Sequence, residues 1–175
     1  GKKAFLRIYK DNHVYPYESQ ISTALKTLLQ EAPMVGFVTG HKERSGMDMG
    51  EKGYGTFASN KTFRYSLENS GYGVREISLE HPVAEDINII VLADMRSNFT
   101  EEEFRNFDAY LKRGGNLFIL GEPKRQQFMN PVIERLGLRF ADGIIVSPSE
   151  VNLDDLVAAN IKEGAAKVSE NYIRY

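Results

Sequence analysis

The chain has 175 residues, of which 42% are hydrophobic and 26% are charged, a composition typical of one globular domain with a buried core. Twenty-two Lys and Arg residues against 24 Asp and Glu residues give a formal net charge of -2, which disfavours nucleic acid and anionic membrane surfaces as partners. The absence of Cys excludes disulfides, zinc–thiolate sites, iron–sulfur clusters and cysteine nucleophiles within the chain.

The first third of the chain predicts a strand, a helix and a second strand. The apolar run 4–9 is expected to form an edge strand, and residues 34–39 a strand that ends at Gly40. Between them, apolar side chains at helical spacing predict an outer helix with the stripe Ile21, Leu25, Leu28 and Leu29. Phe63 and Leu67, one helical turn apart, indicate another helix that closes at Gly71.

Two further strands are predicted in the middle of the chain, at 74–79 and 87–93. The second is a nearly continuous β-branched run, which is typical of a strand buried on both faces of a parallel sheet. The connection between them is shorter than the dozen or so residues usual for a parallel crossover. We favour a tight turn at 81–86 between parallel strands, with an antiparallel pair as the alternative.

The clearest local signals surround residues 100–120. Thr100 and Glu103 have the spacing of a capping box, and they predict a helix over about 101–113. The Gly114-Gly115 pair is expected to end this helix and to release the chain into a buried strand at 116–120.

The C-terminal third predicts a helix that ends near Gly137, a strand at 143–146 and a final helix at 152–161. The first of these helices carries Phe128, Met129, Val132, Ile133 and Leu136.

Helices that alternate with apolar strands predict the α/β class, with a mostly parallel sheet in a three-layer sandwich. We expect a single α/β domain over 1–175. Residues 1–33 would supply the edge strand and outer helix, 34–147 the core sheet, and 148–175 a C-terminal helix and tail.

Parallel sheets bind ligands beyond the carboxyl ends of their strands, near the point where strand order reverses. The loops after the strands at 34–39, 87–93 and 116–120 therefore supply the candidate ligand site. Its predicted residues are Thr39, Gly40, His41, Glu43, Asp94, Arg96 and Glu122.

Several other chemistries are disfavoured by the sequence. The three His residues are too scattered for a helical metal pair, so we predict no metal site. The glycine-rich segment 45–55 lacks the Gly-Lys-Ser/Thr ending of a phosphate-binding loop, and we predict no cofactor. Gly121 and Glu122 stand where a nucleophile elbow would need Ser or Cys, so we predict no catalytic residue.

Three segments resemble a known family. They are YESQISTA at 17–24, MVGFVTGHKE at 34–43 and YLKRGGNLFILGEP at 110–123. They resemble the extracytoplasmic domains of ABC-2 type transporters, either permease-fused or auxiliary, in the gliding-motility-associated group. The resemblance runs from about Tyr15 to Val146, with Lys42 in place of the second Gly of that family's Gly-His-Gly-Glu pattern.

That family is in turn similar to the class I glutamine amidotransferase fold, whose corresponding strand ends at a catalytic Cys. With Gly121 or Glu122 in that place, the resemblance implies a sheet of flavodoxin-like or glutamine amidotransferase-like type without the hydrolytic centre. It also implies a location on the periplasmic face of the bacterial cytoplasmic membrane. Attachment would be through segments outside this sequence, and the partners would be other subunits of an ABC transporter.

Three functional hypotheses follow. The first is a non-enzymatic extracytoplasmic domain of a bacterial ABC-type transport system that acts by protein or ligand contact. The second is a cysteine-less hydrolase or lyase in which His41 works with Glu43, Asp94 or Glu122. The third is a carbohydrate-binding domain with Tyr54 and Phe57 as an exposed platform, which would take a small polar or carbohydrate ligand.

Overall fold

A computed structural model of the chain describes residues 1–10, 12–148 and 153. The chain divides into two compact units, Gly1–Ala141 and Asp142–Tyr175, and the first contains the sheet and all the helices described below. The predicted helix at 152–161 lies outside the described residues, apart from the single position 153.

Four parallel strands form the sheet. They are β1 (Met34–Val38), β2 (Gly73–Ile77), β3 (Ile87–Ala93) and β4 (Asn116–Leu120), in the spatial order β2-β1-β3-β4. This order is flavodoxin-like, and the predicted class of an α/β three-layer sandwich with a parallel sheet is confirmed.

The helices are α1 (Glu18–Leu29), α2 (Gly55–Ala58), α3 (Glu101–Lys112) and α4 (Gln126–Ile133), and α4 continues into a 3-10 turn at Glu134–Leu136. Both halves of the predicted capping box are present at the start of α3. Gly137 has a φ of 74°, the left-handed conformation that only glycine adopts at little cost, and it ends the 3-10 turn.

Buried side chains on the two faces of the sheet form two apolar clusters. On one face, Phe107 and Tyr110 of α3 and Met129 and Val132 of α4 pack against residues that include Ile90 and Leu92 of β3. The other face carries a smaller cluster built around Val35, Phe37, Ala58, Val91 and Ala93. Because β3 contributes side chains to both clusters, nearly all of its residues are apolar, which explains the continuous apolar run in the sequence.

The short connection between β2 and β3 is a crossover without a helix. Both strands pair with β1 in parallel, so the antiparallel alternative is wrong. Leu79 and Val83 of this connection are buried in the first cluster, where they occupy space that a crossover helix would otherwise fill. A chain in extended form spans about 3.3 Å per residue, so residues 78–86 are long enough to return to the start of β3.

Two predicted strands and one predicted helix are absent from the described residues. Residues 4–9 join no ladder, and instead the Tyr9 ring stacks under the Arg64 guanidinium at 4.5 Å. The strand predicted at 143–146 is also wrong, because Ile144, Ile145 and Val146 are exposed and pair with no strand. The segment 61–71 consists of turns, with α2 as the only helical piece described between β1 and β2.

The predicted outer helix α1 is confirmed, but no described residue buries its apolar stripe. No residue of α1 is buried, and Leu25 and Leu29 are 56% and 85% exposed. Contacts of its polar side chains hold α1 to the segment 64–71, since the Arg64 Nη1 donates to Gln20 Oε1 at 2.7 Å.

Candidate functional site

The carboxyl ends of the parallel strands place three loops side by side. The chain leaves β1 toward β2 on one side and then returns to β3 on the other, so strand order reverses between β1 and β3. Backbone hydrogen bonds join the loops: Arg44 N–H donates to Ala93 O at 2.9 Å, and Arg96 N–H donates to His41 O at 2.8 Å. The predicted loops therefore meet at the point where doubly wound sheets bind ligands.

His41 lies buried between two carboxylates, one from its own loop and one from the first turn of α3. Its Nδ1 is 3.1 Å from Glu43 Oε1, and its Nε2 is 3.2 Å from the Glu103 carboxylate. Glu43 also accepts from the His41 backbone N–H at 2.6 Å, and the Phe99 ring meets the imidazole edge-on at 4.9 Å between centroids. Both ring nitrogens are thus engaged within the protein, and the imidazole joins the loop after β1 to the start of α3.

Glu103 carries two roles at once. Its Oε2 accepts from Thr100 N–H at 2.7 Å to complete the capping box, and the same carboxylate faces His41. Burial is the largest influence on this carboxyl and by itself raises its pKa, but the hydrogen bonds with Thr100 and the nearby His41 together outweigh burial. The net effect lowers the pKa of Glu103 below its ordinary value of 4.5, so the ionised form is favoured in the folded protein.

Asp94 follows β3 directly and is 1% exposed. Three arginines surround its carboxylate: Arg96 Nη2 lies 3.2 Å away, Arg125 Nε 3.5 Å and Arg44 Nε 3.8 Å. Asp94 N–H donates to Leu120 O at 2.8 Å, which ties the end of β3 to the end of β4. We call Asp94 with Arg44, Arg96 and Arg125 the arginine cluster.

Hydrogen bonding in the arginine cluster is incomplete. Asp94 Oδ1 and the Nε atoms of all three arginines are buried without a hydrogen-bond partner. The contacts that they make with one another are mostly longer than a hydrogen bond between a guanidinium and a carboxylate, about 2.7–2.9 Å. Buried polar atoms are usually satisfied, so this cluster has spare donor capacity.

The predicted site residues fall into two groups. The structure brings together His41, Glu43, Asp94, Arg96 and Glu122. Arg44 lies against both Asp94 and Glu122, and Arg96 joins Asp94 to the His41 backbone. Thr39 and Gly40 serve the backbone instead. Thr39 donates through its N–H to Ile77 O at 2.9 Å, and Gly40 has a φ of 121° that disfavours any side chain.

The turn after β4 is closely packed at Gly121. A Cβ at position 121 would lie 2.7 Å from the ring of Phe140, so any side chain there would require the ring to move. Phe140 is held by Asn130, which accepts from Phe140 N–H at 2.9 Å and donates to Phe140 O at 3.2 Å. The next residue, Glu122, pairs with Arg44.

Three residues of the site were missed by the sequence reasoning. Arg44 and Arg125 stand in the same loops as the predicted residues, but the sequence of a loop does not indicate which way an arginine side chain points. Glu103 was assigned to the capping box alone. The available clue was position, since the first turn of a helix that follows a parallel strand lies at the carboxyl edge of the sheet.

The two alternative hypotheses gain little from this geometry. The His41 ring and its carboxylates converge, as an enzyme would need, yet they are bonded to each other rather than directed at a cleft. Tyr54 packs against the second apolar cluster while Phe57 is exposed, so they do not form a shared aromatic platform.

Among the described residues, no group of three or more His, Asp or Glu side chains is arranged to hold a metal ion. The same part of the chain contains no helix with the length and apolar character that crossing a bilayer requires.

Comparison with known proteins gives one match. A family model described as an ABC-type uncharacterized transport system matches residues 32–159, which is most of the chain. No curated protein and no solved structure matches the chain significantly. The matched region starts just before β1 and includes every strand of the sheet, the arginine cluster and α3.

Proposed function

Because this chain belongs to the family of the ABC-type uncharacterized transport system, we propose that it is a non-enzymatic extracytoplasmic domain that acts by binding. The family suggests an auxiliary component of an ABC-type transport system and a non-catalytic role, and it implies other transporter subunits as partners. The location on the periplasmic face of the bacterial membrane and the binding mechanism are our proposal.

The observation that carries the binding role is the arginine cluster at the carboxyl edge of the sheet. Arg44, Arg96 and Arg125 keep between 23% and 37% of their side chains exposed while their inner ends are held by Asp94. An anchored, partly exposed guanidinium is suited to recognition because little side-chain freedom is lost when it binds. In this proposal Arg96, Asp94 and Glu122 form the binding edge.

His41 and Glu43 act in this proposal as positioning residues. A general base must have a free lone pair within reach of a substrate proton, and both nitrogens of His41 face carboxylates of the protein itself. Thr39 and Gly40 shape the start of the same loop. This division of labour favours recognition over bond breaking.

We also propose a more specific family relationship for this chain. The segments 17–24, 34–43 and 110–123 resemble the gliding-motility-associated group, and the parallel order β2-β1-β3-β4 is compatible with a fold related to class I glutamine amidotransferases. In this proposal Gly121 or Glu122 takes the place of the catalytic Cys of that fold, and the Phe140 ring lies against Gly121. These points support a relative without the hydrolytic centre.

Location is tested in the native bacterium with the complete gene product. Alkaline phosphatase, which is active only outside the cytoplasm, is fused after the domain, and activity is expected on the extracytoplasmic side. Green fluorescent protein at the same position is the control, because it is expected to be dark there. A fluorescent fusion without phosphatase activity would contradict the proposed location.

Partner contact is tested by photo-crosslinking from single positions in the same complete protein. A crosslinking residue at Lys124, exposed at the carboxyl edge, is expected to capture a transporter subunit. The matched control is Lys112, an exposed lysine at the C-terminal end of α3. Because α3 begins at the carboxyl edge of the sheet, Lys112 lies toward the other edge. Capture from position 112 but not from position 124 would show that another surface makes the contact.

A further inference from the structure

We infer that the arginine cluster binds a single oxyanion group, a carboxylate or a phosphate, carried by the ligand of this domain. The inference rests on the proposed binding function and specifies the chemistry of the ligand. The group would lie above Asp94, where the loops after β1, β3 and β4 meet, with Arg96 and Arg125 as its main contacts.

Charge within the arginine cluster is not balanced. The guanidinium groups of Arg44, Arg96 and Arg125 face two carboxylates, those of Asp94 and Glu122, which leaves one positive charge in excess. The carboxylates of Glu43 and Glu103 stand at the same edge but face His41. The cluster is therefore cationic by itself, although the whole chain has a formal net charge of -2.

Donor geometry agrees with the charge. A guanidinium has five N–H donors, and few of those in the cluster are used: Arg96 Nη2 donates to Asp94 Oδ2, Arg44 Nη1 to Lys52 O, and Arg44 Nη2 contacts Glu122. Arg125 directs its buried Nε toward Asp94 at 3.5 Å, while 31% of its side chain is exposed. Spare donors on fixed arginines favour a planar carboxylate or a phosphate, which accept two bonds at once.

The backbone at the same edge is strained in a consistent way. Among the described residues, the non-glycine residues with a left-handed backbone are Lys42, Asp94 and Lys124, with φ of 58°, 51° and 65°. One follows each of β1, β3 and β4. Such conformations are unfavourable for residues with a side chain and gather where a site needs a fixed geometry.

The Glu122 carboxylate is itself an oxyanion bound to the arginine cluster. Its carboxylate pairs with Arg44 and is only partly buried, so it occupies a donor that an incoming anion would also use. Removing the Glu122 charge should therefore strengthen anion binding, whereas removing Arg96 and Arg125 should weaken it. General attraction of anions to a charged surface would change in the same two directions, so a specific oxyanion site is recognised only if removing a positive charge elsewhere, at Arg105, leaves the affinity unchanged.

Binding is measured by isothermal titration calorimetry on the whole 175-residue chain at constant ionic strength. The probes are inorganic phosphate and glucuronate, with glucose as the neutral control for glucuronate. We expect at least one anion to bind and glucose not to bind. Phosphate alone would assign a phosphorylated ligand, and glucuronate alone a carboxylated one.

The variants then locate the binding. We expect Arg96→Gln with Arg125→Gln to lower the affinity at least about tenfold and Glu122→Gln to raise it several-fold, while Arg105→Gln, an exposed arginine on α3, leaves it unchanged. Circular dichroism checks that each variant is folded. If the double arginine variant does not fold, the Glu122→Gln variant still tests the inference, because the Glu122 side chain is partly exposed and its replacement should not disturb the fold.

Two results would overturn the inference: no binding of either anion to the wild-type chain, or binding that E122Q fails to strengthen. Neither result touches the proposed partner contact. Crosslinking from position 124 would still capture a transporter subunit if the domain binds its partner without an anion, so the two failures are distinguishable.

Discussion

Asp94 illustrates how much the surroundings of one residue determine its effect. The carboxylate is buried among three guanidinium groups, and its backbone has a φ of 51° immediately after β3. A buried carboxylate without nearby cations would be costly, and the three guanidinium groups, whose Nε atoms already lack a hydrogen bond, would lose their counter-charge if the carboxylate were removed. Asp94 is therefore required for the stability of the site before any ligand arrives.

Replacing Asp94 by Asn should lower the free energy of unfolding by about 1–3 kcal/mol, because the arginines lose their counter-charge but remain partly solvated. Urea unfolding at neutral pH measures the change. The control is Asp86→Asn, whose carboxylate pairs with Arg75 at the exposed surface and should contribute about 0–1 kcal/mol. Equal losses in the two variants would mean that burial at Asp94 has no energetic consequence.

Glu103 predicts a pH dependence of stability. Its pKa is lower in the folded protein than the ordinary 4.5, so ionisation stabilises the fold above that pH, and this contribution is lost as the pH falls through the folded-state pKa. Glu103→Gln should destabilise the protein near neutral pH, and the difference from wild type should shrink in acid. Urea unfolding at about pH 7 and about pH 3.5 makes the comparison.

Glutamine at 103 retains the capping-box acceptor, so the variant reports mainly on charge. Glu102→Gln, an exposed change one position earlier in α3, is the control and should show little pH-dependent difference. A constant deficit of the E103Q variant across this range would contradict the prediction.

At the scale of elements, two connections from one strand to the next differ in how they cover the sheet. The connection from β3 to β4 uses α3, which buries Phe107 and Tyr110. The connection from β2 to β3 has no helix and buries Leu79 and Val83 instead. Single side chains of an irregular segment thus take the place of a helix face in the core.

Leu79→Ala should therefore cost about 2–5 kcal/mol, the range for a fully buried leucine, although it lies outside any helix or strand. The expected result is a lower urea midpoint with an unchanged slope. Leu29→Ala at the end of α1 is the control, because that side chain is 85% exposed and should change the stability little. A Leu79 variant as stable as the Leu29 variant would show that the crossover does not support the core.

At the scale of the whole molecule, β3 is the centre of stability. It pairs with β1 on one side and β4 on the other, and its side chains enter the apolar clusters on both faces. β2 lies at one edge of the sheet with a single partner, and residues 1–9 join no ladder. Local opening should therefore begin at β2 and the N-terminal segment.

Amide hydrogen exchange under native conditions measures that order. We expect amides of 89–92 to exchange slowest, those of 74–77 faster, and those of 2–9 fastest. The Phe118 amide on β4 provides a comparison, because this second edge strand also has one partner strand. Protection in 74–77 equal to that in 89–92 would contradict the ranking.

Local signals in the sequence predicted most of the elements. The capping box at Thr100 and Glu103, the Gly114-Gly115 pair and the apolar run 87–93 each depend on neighbours a few residues away, and each gave the correct element. The apolar runs 4–9 and 143–146 gave the wrong one. A strand forms only when a neighbouring strand is available to pair with it, and the sequence of one segment does not indicate whether such a neighbour is present.

The candidate site follows the same division. The sequence alone determined that Asp94, Arg96, His41 and Glu122 would stand at the carboxyl edge of a parallel sheet, because chain direction and strand ends decide that position. Only the tertiary structure decided that Arg44 and Arg125 would turn toward Asp94 and that Glu103 would face His41. Those contacts depend on the strand order and on side-chain directions across three loops, which no local pattern encodes.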